Sequence, residues 1–297
     1  MKNRITALLL CVLLLLSLCG CGNNGVQDDG KLKIVTTVFP LYDFVRATGG
    51  ERVDITLLID PGTEVHSFDP TPSDAVAAAK ADIFFCIGGE SETWAEKLSD
   101  GIRGDTVKLM DSADLLYEDG EEEYDEHIWT SPANAVRMIE KICDTMCRKD
   151  LKNAEYYREN AAVYNKKIQN VSEKIRETVS KSKSRFILVA DRFPFKYLAD
   201  EYGLSYEAAF GGCASSTDIS LKKMAELTDA VSRKNVRVAF YTELSNKAVA
   251  NALAEATGVK IAELHSAHNV TVDDFKAGIT YVDIMERNAK ALKEGLD

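Results

Sequence analysis

The chain has 297 residues, with 36 Lys and Arg against 47 Asp and Glu, only four histidines, and a formal charge of −11 at pH 7. So acidic a balance argues against nucleic acid or anionic lipid as a partner, since both are bound through basic residues. The length exceeds what a single hydrophobic core serves comfortably, which favours two α/β units over one.

Lys2 and Arg4 open the chain and apolar Ile5 to Leu18 follows. That run is too short for a stable membrane span and reads as an export signal over residues 1–20. It ends in Leu18-Cys19-Gly20-Cys21, with a small residue just before Cys21 and a leucine three before it. This resembles the processing box of bacterial lipoproteins and makes Cys21 the lipidated first residue, ordinary cleavage without lipid being the alternative. More than one acyl chain on that cysteine gives stable anchoring. Without the signal, 34 basic residues face 47 acidic ones, a formal charge of −13. Residues 21–30 then form a polar tether.

Four β-rich runs follow before residue 110: KIVTTV, VDITLLI, DIFFCI and TVKLM. Continuous apolar strands interleaved with helical patterns predict a parallel sheet covered on both faces, here in an N-terminal lobe over residues 31–152. Cys86, inside DIFFCI, is a core residue on this reading. The acidic run Tyr117 to Glu126 is a solvated loop by composition. Ser131 and Pro132 read as the cap and first turn of a helix, on which Cys143 and Cys147 share a packing face. With Cys213 these are the cysteines beyond Cys21, too sparse for a disulfide framework.

From Asn153 to Lys181 the apolar residues Tyr157, Ala161, Tyr164, Ile168, Val171, Ile175 and Val179 recur at alternating spacings of four and three, with no Pro or Gly. One long linking helix, residues 153–182, is predicted. A second set of runs, RFILVA, LSYEAAF, VRVAFYT and VKIAEL, predicts another parallel sheet in a C-terminal lobe, residues 183–297. The fold class is therefore α/β, with two lobes, each a roughly four-stranded parallel sheet flanked by helices, joined by one rigid helix. All six prolines fall between the periodic segments, which supports these boundaries.

Each histidine follows the C-terminal end of a predicted strand: His66 after the second, His127 after the fourth, His265 and His268 after the last. That edge is where parallel sheets place ligands, so two lobes facing each other along it would bring the histidines together in a cleft. Neutral imidazoles favour zinc, whereas carboxylate-rich sites suit manganese. The chain lacks H-E-x-x-H and any G-x-S-x-G elbow, which argues against an enzyme. A zinc-dependent hydrolase and a metal-stabilised adhesin are the rival classes.

The segments TTVFPLYDFVRATGG, EVHSFDPTPSD, EHIWTSPANA, FPFKYLADEYGL and GITYVDIMERNAKAL span nearly the whole mature chain. In combination they resemble the metal-binding lipoproteins of bacterial ABC importers of zinc and manganese, the cluster 9 or cluster A-I family. The resemblance implies a monomeric receptor, lipid-anchored on the extracytoplasmic face, that captures Zn2+, or alternatively Mn2+, between its lobes and passes it to an ABC permease. It places the family's first ligand on His66, the second on His127, the third on Arg192 and the fourth on His265. Arginine stays protonated and cannot ligate. His268 then serves as a further ligand or as a supporting partner, the pair supplying what Arg192 cannot. The Arg192 charge beside a dication calls for a carboxylate partner, Asp191 or Glu207, or for an anion in the coordination sphere. Cys213 lies on the same edge, as a thiolate ligand or as a buried, unreactive thiol.

Overall fold

The computed structural model describes residues 30–118, 122–212, 214 and 218–297. The predicted signal, Cys21 and all of the tether except residue 30 lie outside these residues, as does Cys213. Each of the eight apolar runs forms a strand: β1 Leu32–Thr36, β2 Val53–Leu57, β3 Ile83–Cys86, β4 Asp105–Lys108, β5 Phe186–Arg192, β6 Ser205–Phe210, β7 Val238–Tyr241 and β8 Lys260–Glu263. Helices α1 Phe39–Gly49, α2 Pro72–Ala79, α3 Thr93–Ser99, α4 Pro132–Lys149 and α5 Ala154–Lys181 belong to the first half of the chain and its link to the second. Helices α6 Lys196–Tyr202, α7 Leu221–Arg233, α8 Ala248–Thr257, α9 Val272–Lys276 and α10 Tyr281–Leu296 complete it.

The strands build two parallel four-stranded sheets, in the orders β2-β1-β3-β4 and β6-β5-β7-β8. In each, the first strand lies between the second and the third, with the fourth beyond the third. The connections therefore diverge at its C-terminal end and leave a crevice there. Strand β3 is apolar throughout because helices cover both faces, and all four of its residues are buried. In β5 the alternation sorts neighbours into two cores: Ile187 and Val189 face the main core, Leu188 and Ala190 a smaller one lined by α7 and α8 residues Leu227, Ala230 and Leu253.

The local signals carry through. Ser131 Oγ accepts from Asn134 N at 3.1 Å and caps α4, with Pro132 in its first turn. Thr280 and Asp283 form a reciprocal capping box that starts α10. The α5 stripe from Tyr157 to Val179 is buried as its spacing requires. The main core contains that stripe together with residues of both sheets and of α10.

Candidate metal centre

The acidic run before His127 is divided rather than uniformly solvated. Glu122 and Glu123 are exposed, whereas Asp125 and Glu126 are buried. Asp125 Oδ1 accepts from His127 N at 2.8 Å and lies 3.1 Å from Nδ1. This places the Nδ1 proton against a carboxylate and leaves Nε2 as the free donor, the arrangement that orients a metal-binding imidazole. Glu126 is held by Ser91, accepting from its backbone N at 2.6 Å and from its hydroxyl.

His66 lies in the loop after β2. Asn269, beyond β8, donates through Nδ2 to Asp60 O and Thr63 O, both at 2.9 Å, and Gly62 N donates to Val270 O at 2.8 Å. The left-handed φ of +82° at Gly62 suits a residue without a Cβ. These bonds fasten the His66 loop to the His268 loop.

The His268 loop is organised by Glu243, after β7. Its carboxylate accepts from Ser266 N at 2.7 Å, from the Ser266 hydroxyl and from His268 N at 3.1 Å. Trp129 Nε1 donates to Ser266 O at 2.8 Å. Ala267 is held at φ +62°, an unusual conformation for alanine, between the two histidines.

As a result His66, His127 and His268 each offer a ring nitrogen, and these three atoms lie within 4.8 Å of one another. The rings meet edge-on, with centroids 6.0, 5.2 and 5.1 Å apart. Zinc at about 2.1 Å from each nitrogen puts tetrahedral neighbours about 3.4 Å apart, so a bound ion draws the rings inward by about an ångström. His127 Nε2 and His66 Nδ1 are buried with no hydrogen-bond partner among the described residues. Uncompensated buried donors or acceptors are costly, and a cation satisfies a ring lone pair.

His265 stands apart from this group. Its Nδ1 accepts from Ala267 N at 2.9 Å, and its backbone is clamped by Asn288, which accepts from His265 N at 2.9 Å and donates to its carbonyl at 2.7 Å. Glu243 Oε2 is 3.5 Å from His265 Nδ1, but that lone pair is already used by Ala267 N, so the contact is not an ion pair in this tautomer. The structure thus puts His268, not His265, beside His66 and His127, and gives His265 the task of shaping the loop.

Arg192 ends β5, where the register against β6 shifts. Its Nε donates to Ala214 O at 2.7 Å and Nη1 lies 3.4 and 3.3 Å from the two Glu64 oxygens. Neither expected partner meets the guanidinium. Asp191 accepts backbone N–H groups of Arg192 and Thr242, and Glu207 pairs with Arg233 at 3.0 Å. With Glu64, Glu243 and the three histidines, Arg192 lines a cavity of about 60 Å³.

The rings do not share one protonation state. Burial, then the His127 and Arg192 charges, push His66 down to about 4. Burial likewise holds His268 well below the usual histidine range, aided by His127, His66 and Arg192. For His127 burial also acts downward, but Asp125, Glu126 and Glu118 outweigh it and its pKa is raised. Two rings are therefore kept neutral toward the acid side, and the third holds its proton to a higher pH than an ordinary histidine.

A profile of the family described as "ZnuA: Zinc-uptake complex component A periplasmic" matches residues 34–295. The chain belongs to this family. It is 34% identical to the zinc-binding lipoprotein AdcA of Streptococcus pneumoniae, over 98% of this chain and 61% of that one, so it spans about three fifths of that relative's length. It is 30% identical to the high-affinity zinc uptake system protein ZnuA of Bacillus subtilis, over 95% of this chain and 94% of that protein. The crystal structure of the Zn(II)-bound ZnuA-like domain of the pneumococcal AdcA is similar with a TM-score of 0.79, at 33% identity, covering 90% of this chain and 100% of that domain.

Asp125 and Glu243 hold the His127 and His268 segments, a role that the sequence did not announce. A carboxylate two residues before His127 was the available signal for the first. Glu243 carried a fainter one, its place just past the C-terminal end of β7.

Proposed function

We propose that this chain is the extracytoplasmic receptor of a zinc importer. It captures one Zn2+ with His66, His127 and His268 and delivers it to an ABC permease, while a lipid on Cys21 keeps it at the membrane. The observation that carries this reading is the convergence of three ring nitrogens from two sheets, two of them on rings with an orphaned buried nitrogen. Similarity to proteins named for zinc binding and zinc uptake supports it. An all-nitrogen set favours zinc over manganese.

The same site supports transport over hydrolysis. Three carboxylates near the rings are engaged in holding backbone and rings, Asp125 on His127, Glu126 on Ser91 and Glu243 on the Ser266 to His268 turn, and the fourth, Glu64, faces the Arg192 guanidinium. The test is metal analysis of protein purified without added metal, followed by zinc and manganese titrations of the wild type and His66→Ala. One zinc per chain, bound more tightly than manganese and weakened in the variant, is expected. Absence of zinc binding, or equal binding by the variant, overturns the assignment.

A further inference from the structure

Three imidazoles fill three positions of a tetrahedral zinc ion and leave one open. The cavity wall contributes Arg192, a cation that cannot ligate. Its guanidinium is fixed from behind by Ala214 O at 2.7 Å, so it is built into the site. A dication and a guanidinium in one small cavity repel unless negative charge lies between them. Glu243, on the same wall, directs its carboxylate at the N–H groups of Ser266 and His268 and at the Ser266 hydroxyl.

From this we infer that zinc binds here together with an anionic oxygen ligand, a carboxylate or carbonate, seated between the ion and the Arg192 guanidinium. The inference rests on the zinc-receptor reading and names the fourth ligand of that site. Guanidinium donates two parallel N–H groups that match such an anion, whose remaining lone pairs reach the metal. A water needs about 10–15 Å³ of such space. A cavity of about 60 Å³ therefore has room for an ion together with an anion of a few atoms.

Two sources share this chemistry. One is a small solute anion such as acetate or bicarbonate. The other is Glu64, half exposed, whose oxygens already lie 3.3 and 3.4 Å from Arg192 Nη1 and whose Oε1 also accepts from His66 N at 3.3 Å. A turn of that side chain would bring its carboxylate toward the ion.

The experiment measures zinc affinity in chelator-buffered zinc, in carbonate-free perchlorate medium, with and without millimolar acetate or bicarbonate, for wild type, Arg192→Gln and Glu64→Gln. With a solute anion, the wild type tightens by about tenfold or more on addition of acetate or bicarbonate. With Glu64 as the source, the wild type does not respond, Glu64→Gln binds about tenfold more weakly in perchlorate, and acetate restores it. In either case Arg192→Gln weakens zinc binding, and where the anion comes from solution it also abolishes the anion response. Cobalt(II) substituted into the wild type and Glu64→Gln gives an independent readout, its visible spectrum changing with acetate in whichever protein draws on the solute.

Arg192→Gln binding zinc as tightly as wild type or more so, as simple removal of a repelling charge requires, overturns the proposal. So does the absence of an anion response in both wild type and Glu64→Gln. Failure of the receptor reading looks different: the wild type then binds no zinc in any medium.

Discussion

His66 and His268 line a small cavity with Arg192, and burial, followed by the charges of His127 and Arg192, keeps both rings neutral well below physiological pH. His127, with Asp125 against its Nδ1, is the ring that carries a proton into the encounter. Zinc binding below the raised His127 pKa therefore releases about one proton per ion, not three. The sign follows: affinity falls about tenfold per pH unit as pH drops below that pKa, and steepens only near 4, where His66 joins. Calorimetry in buffers of different ionisation enthalpy checks it, and release of two or three protons near neutrality contradicts it. The two C-terminal histidines divide their labour in a measurable way. His268→Ala removes a proposed ligand and is expected to weaken zinc by more than the ~10–100-fold typical of a supporting residue, whereas His265→Ala falls within that range. Zinc titration of both variants decides, and the reverse order refutes the placement. The sequence put all four histidines on the correct sheet edges, yet could not separate His265 from His268. That distinction comes from Ala267 N turning back onto His265 and from Glu243 and Asn288, which reach the loop from distant elements.

At the scale of elements, the inner strands were legible because burial on both faces leaves no polar alternation to confuse the pattern, as in β3 with Ile83, Phe84, Phe85 and Cys86. Helix α5 was legible for the opposite reason: its one-sided burial writes a strict stripe among 28 residues. The register shift at the end of β5 left no such trace, although it presents Arg192 to the site, because a bulge is a contest between backbone pairings and not a composition. The stripe makes a quantitative prediction. Ile168 is fully buried in the main core, so Ile168→Ala is expected to lower unfolding free energy by about 2–5 kcal/mol. Val163, on the same helix but 61% exposed, leaves no comparable cavity, and Val163→Ala is expected to shift stability by about 0.5 kcal/mol or less. Urea denaturation of the two variants tests the contrast, and similar losses would show that the stripe does not carry the packing.

The molecule as a whole holds its site rigidly because the halves share more than a linker. Asp43 of α1 accepts from Tyr281 N of α10 at 2.8 Å and from the Tyr164 hydroxyl of α5, while Arg46 donates to Ile279 O at 2.7 Å. Tyr197 of α6 donates to Asp125 O at 2.7 Å and accepts from Leu116 N at 3.1 Å. Tyr281 Oη donates to Trp129 O at 2.7 Å, joining the same two halves below the histidines. Rotating one half against the other would break these buried bonds together and open the core that both sheets line. Large clamshell closure also needs residues that absorb backbone rotation, and α5 runs unbroken between the sheets. Zinc is thus expected to pull in the His66, His127 and His268 side chains without compacting the whole, leaving the radius of gyration from solution scattering unchanged. Chelation is expected to leave the far-ultraviolet signal intact, because the main core is built from apolar side chains of both sheets and α5, none of them a proposed zinc ligand, in contrast to a structural zinc site. Heating then gives one cooperative transition rather than two. Zinc raises its midpoint through mass action alone, with about 2.7 kcal/mol of stabilisation at a hundredfold excess over the dissociation constant. A metal-free sample that melts in two steps, or that has already lost its helical signal at room temperature, would mean that the shared core depends on the cargo, and the site would then be part of the fold instead of a receptor built upon it.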